Sequence, residues 1–500
     1  MRKFAIGAAA ALAVTGLAVP SANAAPASPD LAKLVTVKDI KRHLQNLQTI
    51  ADYNGGNRAA GQAGFTVSTK YVVSELKKAG YKPTVQSFDF DYFQEKSPAV
   101  FGQTAPNKVD YKVGSDFSTY QYSGSGDVTA PAAAVDTPAP NTDGDSGCQT
   151  GDFASFPKGS IALIQRGGCD FAVKAANAKA AGAVAVVIYQ KPTVADGPVG
   201  GTLGGPSTLP VIGPTYKVGA ELVRLANAGG LTLHVKTDTL NEKRTAKNVI
   251  AETKYGSADN VVVVGAHLDS VEAGPGINDN GSGTSTILAI AQKVSKLGKK
   301  GIRNKVRFAW WGAEEEGLLG SEHYVTSLSA AQKTKIALNL NFDMTASPNG
   351  VRGVYNGSDP TAPHGSAAIQ KTINDYYAKR KLPTVPSDFN GRSDYGPFLE
   401  AGIPAGGIDT GAEGIKTAEE AKLFGGKAGQ PYDACYHAKC DRITNINWSL
   451  LDTNADGVAF AVQTFAKSTL PVNGEALRTG RAYAKPAPTA PLYRGGHLVR

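Results

Sequence analysis

From residue 37 onward, apolar residues recur at three- and four-residue spacing in VKDIKRHLQNLQTIA and again in STKYVVSELKKAG. That period predicts two helices, the second closed by Gly80. TVQSFDFDYF then alternates apolar and polar like a strand. At about residue 95 the composition shifts, and residues 100–160 are rich in Ser, Thr, Gly, Pro and Asp, with short alternating pieces such as KVDYKV. KGSIALIQRGGCDFAVKAANAKAAGAVAVVIYQ predicts strand, turn, alanine-rich helix and strand, and STLPVIGPTYKVGAELVRLANAGGLTLHVK predicts strand, helix and strand. Residues 95–243 therefore read as an α/β or β-rich domain of their own, set between a first part at 25–94 and a second at 244–470. From Asn248 the pattern is steadily βα. VIAETK, NVVVVGAHLDS, NKVRFAWWGA and IALNLNFDMTA read as strands, TSTILAIAQKVSKL as a helix, and SEHYVTSL as the start of another. Several of these strands are apolar throughout, as strands covered on both faces are. The expected fold class is α/β, a mainly parallel central sheet flanked by helices, whose ligands bind beyond the carboxyl ends of the strands. The proline-rich tail from Pro471, including AKPAPTAPLYRGGHLVR, is expected to be disordered.

Composition changes this picture in three ways. With 42% hydrophobic and 19% charged residues, the 500-residue chain can bury a large core. The start, MRKFAIGAAAALAVTGLAVPSANA, combines Arg2 and Lys3, an apolar run broken by Pro20, and Ala22-Asn23-Ala24. It is read as a cleaved secretory leader over residues 1–24, too short to span a membrane comfortably. A secreted protein with no membrane partner is the expectation. The formal charge of +9 has no basic run behind it, so nucleic-acid binding is not expected. Four cysteines, Cys148, Cys169, Cys435 and Cys440, in an exported chain suggest two disulfides. Sequence order favours 148–169 and 435–440, although four cysteines allow three pairings.

The candidate chemistry lies where strands end. His267 and Asp269 follow VVVVGA, Asp279 sits in GINDNGSG before a helix, Glu314 and Glu315 follow FAWWGA, Asp343 follows LNLNF, and His437 lies in CYHAKC. Each alone has a plain structural use: a core histidine, a helix start, a solvated loop, a cap. Together they bring carboxylates and imidazoles to one face of a parallel sheet, where uncompensated they would repel one another. A metal pair resolves this. Two His with several Asp/Glu suit zinc, and an odd carboxylate can bridge two ions. Zinc-bound water ionises near about pH 7, giving a hydroxide nucleophile, and leaves a remaining glutamate as general base and acid.

In this order, the motifs AHLDS, GINDNGSG, FAWWGAEEEGLLGS, NFDM, GRSDYGPF and CYHAKCD resemble the secreted bacterial di-zinc aminopeptidases, of the leucine aminopeptidase and aminopeptidase Y type. The likeness covers about residues 38–92 and 245–468. It implies the zinc exopeptidase fold, two zinc ions, and hydrolysis at the free N-terminus of peptides by a chain expected to be a monomer. It further implies His267, Asp279, Glu315, Asp343 and His437 as ligands, with Asp279 bridging. Glu314 would be the general acid/base, Asp269 would orient His267, and Tyr436 would polarise the scissile carbonyl from a loop fixed by Cys435–Cys440. Glu316 takes no catalytic role. The middle block resembles a protease-associated domain, whose usual disulfide Cys148–Cys169 fits.

Within the segment GRSDYGPFLEAGIPAGGIDTGAE, which resembles the pocket lining, Arg392 and Asp409 are substrate-binding candidates. Leucine-preferring relatives tend to carry an aromatic residue at the position of Asp409, so a carboxylate there could favour Lys or Arg. DTNADG at 452–457 places oxygens at alternate positions as an EF-hand loop does, but Gln463 stands where the bidentate Glu belongs. A helical surface suits it better, and Asp452 and Asp456 remain only as calcium candidates by resemblance. GDSGC at 144–148 looks like a serine-protease nucleophile segment but reads as a turn. The rival readings are a carboxypeptidase of the same fold, which would need a cationic patch, and an inactive binding protein on a peptidase fold.

Overall fold

The computed structural model describes residues 29–193 and 197–474, with Met1 and the short paired pieces 493–494 and 497–498. Apart from Met1, the leader expected over 1–24 lies outside the described residues.

The centre of the region that follows residue 244 is strand Ser257–His267. Strands Asn304–Trp311 and Ile336–Phe342 run parallel to it on either side, and Ala405–Asp409 runs parallel to the latter. Beyond it, Gly353–Tyr355 pairs antiparallel with Ala405–Asp409 and parallel with Val385–Ser387. The unbroken apolar runs have a simple cause: both faces are covered. Val262 and Val264 share one core with Leu44 of helix Val37–Asp52, Ile287 of helix Gly281–Val294 and Val458 of helix Trp448–Lys467. Val261 and Val263 point the other way, into a second core with Trp311, Tyr324 and Phe398. Alternate residues of one strand therefore serve opposite cores, as the pleat dictates.

The middle of the chain is carried on two long strands. Thr84–Ala105 and Thr232–Glu252 pair antiparallel from Thr84↔Ile250 to Ala105↔Thr232, with register shifts near Glu95, Ser97 and Gln103. Thr232–Glu252 also pairs with Asn304–Trp311 at one end and with Gly126–Ala134 at the other. From Gly126–Ala134 the sheet continues in parallel through Ile161–Gln165, Ala185–Tyr189 and Val211–Pro214. Both regions thus share one continuous sheet. The expected boundaries at 95 and 243 fall inside these strands. LTLHVK and VIAETK belong to one strand, and the polar stretch between them marks a half-exposed ribbon rather than an end.

The disulfides are Cys148–Cys169 and Cys435–Cys440. DTNADG is helical, inside Trp448–Lys467. Ser146 of GDSGC is buried, donates to the Val135 carbonyl at 2.5 Å and accepts from the Gln165 amide, which makes it a turn residue and not a nucleophile. The tail expectation needs correction at its start. Leu470–Asn473 is a short helix with Pro471 in its first turn, where a missing N–H costs nothing, and Val472 is buried in the main core. Residues 475–492 of the tail lie outside the described residues.

Leu340 is fully buried in the middle of Ile336–Phe342. Leu340→Ala is expected to cost about 2–5 kcal/mol of stability, read by denaturant unfolding with the slope unchanged.

Candidate metal centre and substrate pocket

Parallel strands deliver their last residues to one edge, and the register shows which. His267 ends Ser257–His267 opposite Trp311, three residues before Glu314. Asp343 directly follows Ile336–Phe342. Asp279 stands just before helix Gly281–Val294, whose first turn is capped by the Asn280 side chain. His437 arrives on the Cys435–Cys440 loop. Ala313, Met344 and His437 all take left-handed backbone conformations, and the first two adjoin Glu314 and Asp343. Such conformations persist in non-glycine residues only where the surroundings enforce them.

The side chains converge as two groups joined at one carboxylate. His267 Nε2 lies 3.2 Å from Asp279 Oδ1 and 3.3 Å from Asp343 Oδ1. His437 Nε2 lies 3.3 Å from Asp279 Oδ2 and 3.0 Å from Glu315 Oε2. The two oxygens of Asp279 thus face different histidines. Glu314 stands further off, 4.0 Å from His267 Nε2. The donor atoms of His267, Asp279 and Glu315, and those of His267, Glu314 and Asp343, lie within 4.8 Å of one another. Glu315 Oε1 is buried without a hydrogen-bond partner. Nitrogen and oxygen donors with unspent valence at this spacing fit divalent cations such as zinc.

Asp269 lies 3.7 Å from His267 Nδ1, beyond hydrogen-bond range. Its carboxylate instead accepts the backbone amides of Glu314 and Glu315, both at 3.2 Å, and so fixes the loop that presents them. Two contributors escaped the sequence analysis. Asp441, the last residue of CYHAKCD, accepts the amides of Asn278 and Asp279 at 2.8 and 2.9 Å. Arg58 is fully buried and donates to the carbonyls of Leu268, Pro275 and Gly276, clamping the loop between His267 and Asp279. Asp441 stood in a motif already singled out, whereas Arg58 offers no sequence signal beyond a charged residue in a short loop.

Electrostatics follow from burial. Burial alone would lower His437, but Glu315 and Asp279 hold it at about 10. His267 is likewise held well above its ordinary value by Asp343 and Glu314 against burial. Glu314 is pushed well above the carboxylate range by burial, with His267 opposing and Glu315, Asp394 and Asp343 adding. Burial also raises Glu315, and raises Asp441 to about 8 despite its two amide donors. Asp279 is lowered, its bonds to both histidines outweighing burial.

A cavity of about 290 Å³ opens on this centre. Among the described residues its lining holds eight acidic side chains but only one arginine, Arg392, and no lysine. Arg392 is tied to Glu413 at 2.5 Å and donates to the Tyr436 hydroxyl at 3.3 Å. The Tyr436 ring stacks on His437, with centroids 3.8 Å apart. Asp409 also lines the cavity, where Ser387 Oγ donates to it. Glu316 points away from the centre and accepts from Gln121 Nε2 of the middle region at 3.3 Å.

Residues 248–462 match peptidase family M28, and residues 128–222 match the PA domain. An aminopeptidase of Pseudomonas aeruginosa is 44% identical over 461 residues, spanning 90% of this chain and 85% of that protein. This chain belongs to peptidase family M28. A probable leucine aminopeptidase 2 of Aspergillus fumigatus is 42% identical across 88% of this chain and 85% of the other. Among solved structures, an aminopeptidase from Aneurinibacillus sp. strain AM-1 superposes with a TM-score of 0.68 at 26% identity, covering 87% of this chain and 94% of that one. A zinc aminopeptidase from Bacillus subtilis gives 0.57 at 26% identity, covering 90% and 98%. The M28 fold with an inserted PA domain agrees with the α/β reading of the sequence.

Asp441 near 8 and His437 near 10 both exceed their unfolded values, so in the metal-free chain each of the two binds its proton more tightly folded than unfolded from mildly acidic to alkaline pH. Their contributions to stability are therefore lost as pH rises. In chelator, the thermal midpoint is expected to fall between pH 5 and pH 9, both on the order of the window these shifts set. With zinc added the part owed to His437 is expected to vanish, because metal replaces its proton, whereas the part owed to Asp441, which holds backbone amides, is expected to remain. Calorimetry at matched pH with and without zinc checks this.

Proposed function

We propose that this chain is a secreted zinc aminopeptidase that removes residues from the free N-terminus of peptides and proteins. The observation that carries the reading is Asp279, whose two oxygens address His267 with Asp343 on one side and His437 with Glu315 on the other. That is the arrangement of a carboxylate shared between two ions. The five residues would hold two zinc ions. Zinc, when bound, lowers the pKa of a water and polarises a carbonyl oxygen.

The protein's own groups supply the rest. Glu314, buried beside the ligands at 4.0 Å from His267 Nε2, would take a proton from the attacking water and hand it to the leaving amine. Tyr436 donates to the carbonyl oxygen as charge develops there. Because Arg392 donates to the Tyr436 oxygen, the phenolic hydrogen is left for the substrate. Asp269 keeps Glu314 and Glu315 in place through their amides. The acidic lining suits an incoming ammonium group. It opposes a substrate carboxylate, which disfavours the carboxypeptidase reading. The two disulfides support action in an oxidising compartment. Calcium at Asp452 and Asp456 is the lesser part of the proposal. Burial and Asp452 push Asp456 up to about 6, and a bound cation would reverse that push.

Glu314→Gln is expected to retain two zinc equivalents by elemental analysis and to lose about 10²–10⁴-fold in kcat. Near-normal turnover in a metal-replete preparation would overturn the assignment. Tyr436→Phe is expected to lower kcat by about 10²-fold with zinc content unchanged. The whole reading is tested with one peptide in free and N-acetylated forms, with and without chelator, followed by mass spectrometry. Stepwise loss from the free N-terminus, stopped by acetylation and by chelation, is expected, whereas loss from the C-terminus would support the carboxypeptidase.

A further inference from the structure

We infer that Asp409 makes this pocket select peptides whose first residue has a cationic side chain, lysine or arginine. The inference rests on the aminopeptidase reading and concerns one wall of the cavity that opens on the metal centre. Asp409 ends strand Ala405–Asp409 and pairs across the sheet with Gly353. The glycine is required there, since a Cβ on Gly353 would sit 2.2 Å from Asp409 Oδ1. Ser387, on the next strand, donates its hydroxyl to Oδ2. The carboxylate is thereby fixed from two sides by neutral groups. Among the described residues no lysine, arginine or histidine forms an ion pair with it.

Asp409 nevertheless lines the cavity, beside Val351, Tyr355, Val385 and Pro386. These offer apolar surface for a methylene stem in the same cavity as the carboxylate, which suits the anatomy of a lysine or arginine side chain. A leucine side chain in the same place would cover the carboxylate and give it nothing in return. Burying a charge without a partner is costly, so the wall discriminates by repelling apolar residues as well as by attracting cationic ones. Burial has already pushed the carboxyl up to about 6, with Ser387 opposing and Asp343 adding, and an ammonium or guanidinium would relieve that stress.

The test compares kcat/KM of the full-length, zinc-loaded chain for the p-nitroanilides of Lys, Arg and Leu, in the wild type and in Asp409→Asn and Asp409→Leu. The wild type is expected to favour Lys and Arg over Leu by about tenfold or more, and Asp409→Leu to reverse the order. Leu equal to or above both Lys and Arg in the wild type overturns the inference even if neither variant folds. An unmoved Lys/Leu ratio in soluble Asp409→Asn with full zinc content also overturns it. So does an equal loss on all three substrates, which would make Asp409 an anchor for the α-amino group. Wild-type release of Leu without Lys or Arg defeats this inference alone. No chelator-sensitive release from any substrate defeats the aminopeptidase reading and this inference with it.

Discussion

Like charges held together out of water are the constraint around which this structure is built. Asp279, Glu314 and Glu315 are buried within reach of one another, with Asp394 and Asp441 close behind. Two unit charges about 4 Å apart at an effective dielectric of about 20 repel by about 4 kcal/mol. The fold answers with dipoles and cations it can keep fixed. Backbone amides are turned onto Asp269 and Asp441, histidines are inserted between the carboxylates, and Arg58 is sealed beneath the loop they share. The left-handed residues and the short disulfide loop belong to the same answer, because they aim side chains that regular structure would disperse. The strands have to be covered on both faces for any of this to hold its position.

What the sequence disclosed tracks how locally each feature is encoded. His267, Glu314, Glu315 and Asp343 were legible because each follows an apolar run, and a parallel sheet sends the ends of such runs to one edge. Asp279 was legible from the glycine-rich helix start. Arg58 was not, because its partners Leu268 and Pro275 lie more than two hundred residues away and nothing in its own surroundings announces burial. Arg392 lines the cavity, but its bonds to Tyr436 and Glu413 are a pairing that only the folded loops create and that the sequence does not announce. The ribbon misled for a different reason. Its central residues are polar because they are half-exposed, and polarity reads as a break when no neighbour is known. Val472 misled in the opposite way, since a proline-rich stretch conceals one residue that the core needs.

The middle region touches the loop that carries Glu314–Glu316 through a specific bond. Gln121 donates to Glu316, the residue after the proposed ligand Glu315, and the Tyr122 hydroxyl donates to the Asp91 carbonyl on the ribbon. Glu316, which carries no chemistry in the proposed reaction, is thus where the inserted region meets the loop.

The paired strands Thr84–Ala105 and Thr232–Glu252 carry a consequence of a mechanical kind. Domains strung on flexible linkers can swivel, because a linker stores no elastic energy. Here two strands joined by one ladder cross from one region to the other, and one of them is bonded edge-on to Asn304–Trp311, the strand that leads into Glu314. The insert therefore behaves as a cantilever clamped in the peptidase sheet. A load applied at its tip arrives at the carboxylate loop as shear, not as free rotation.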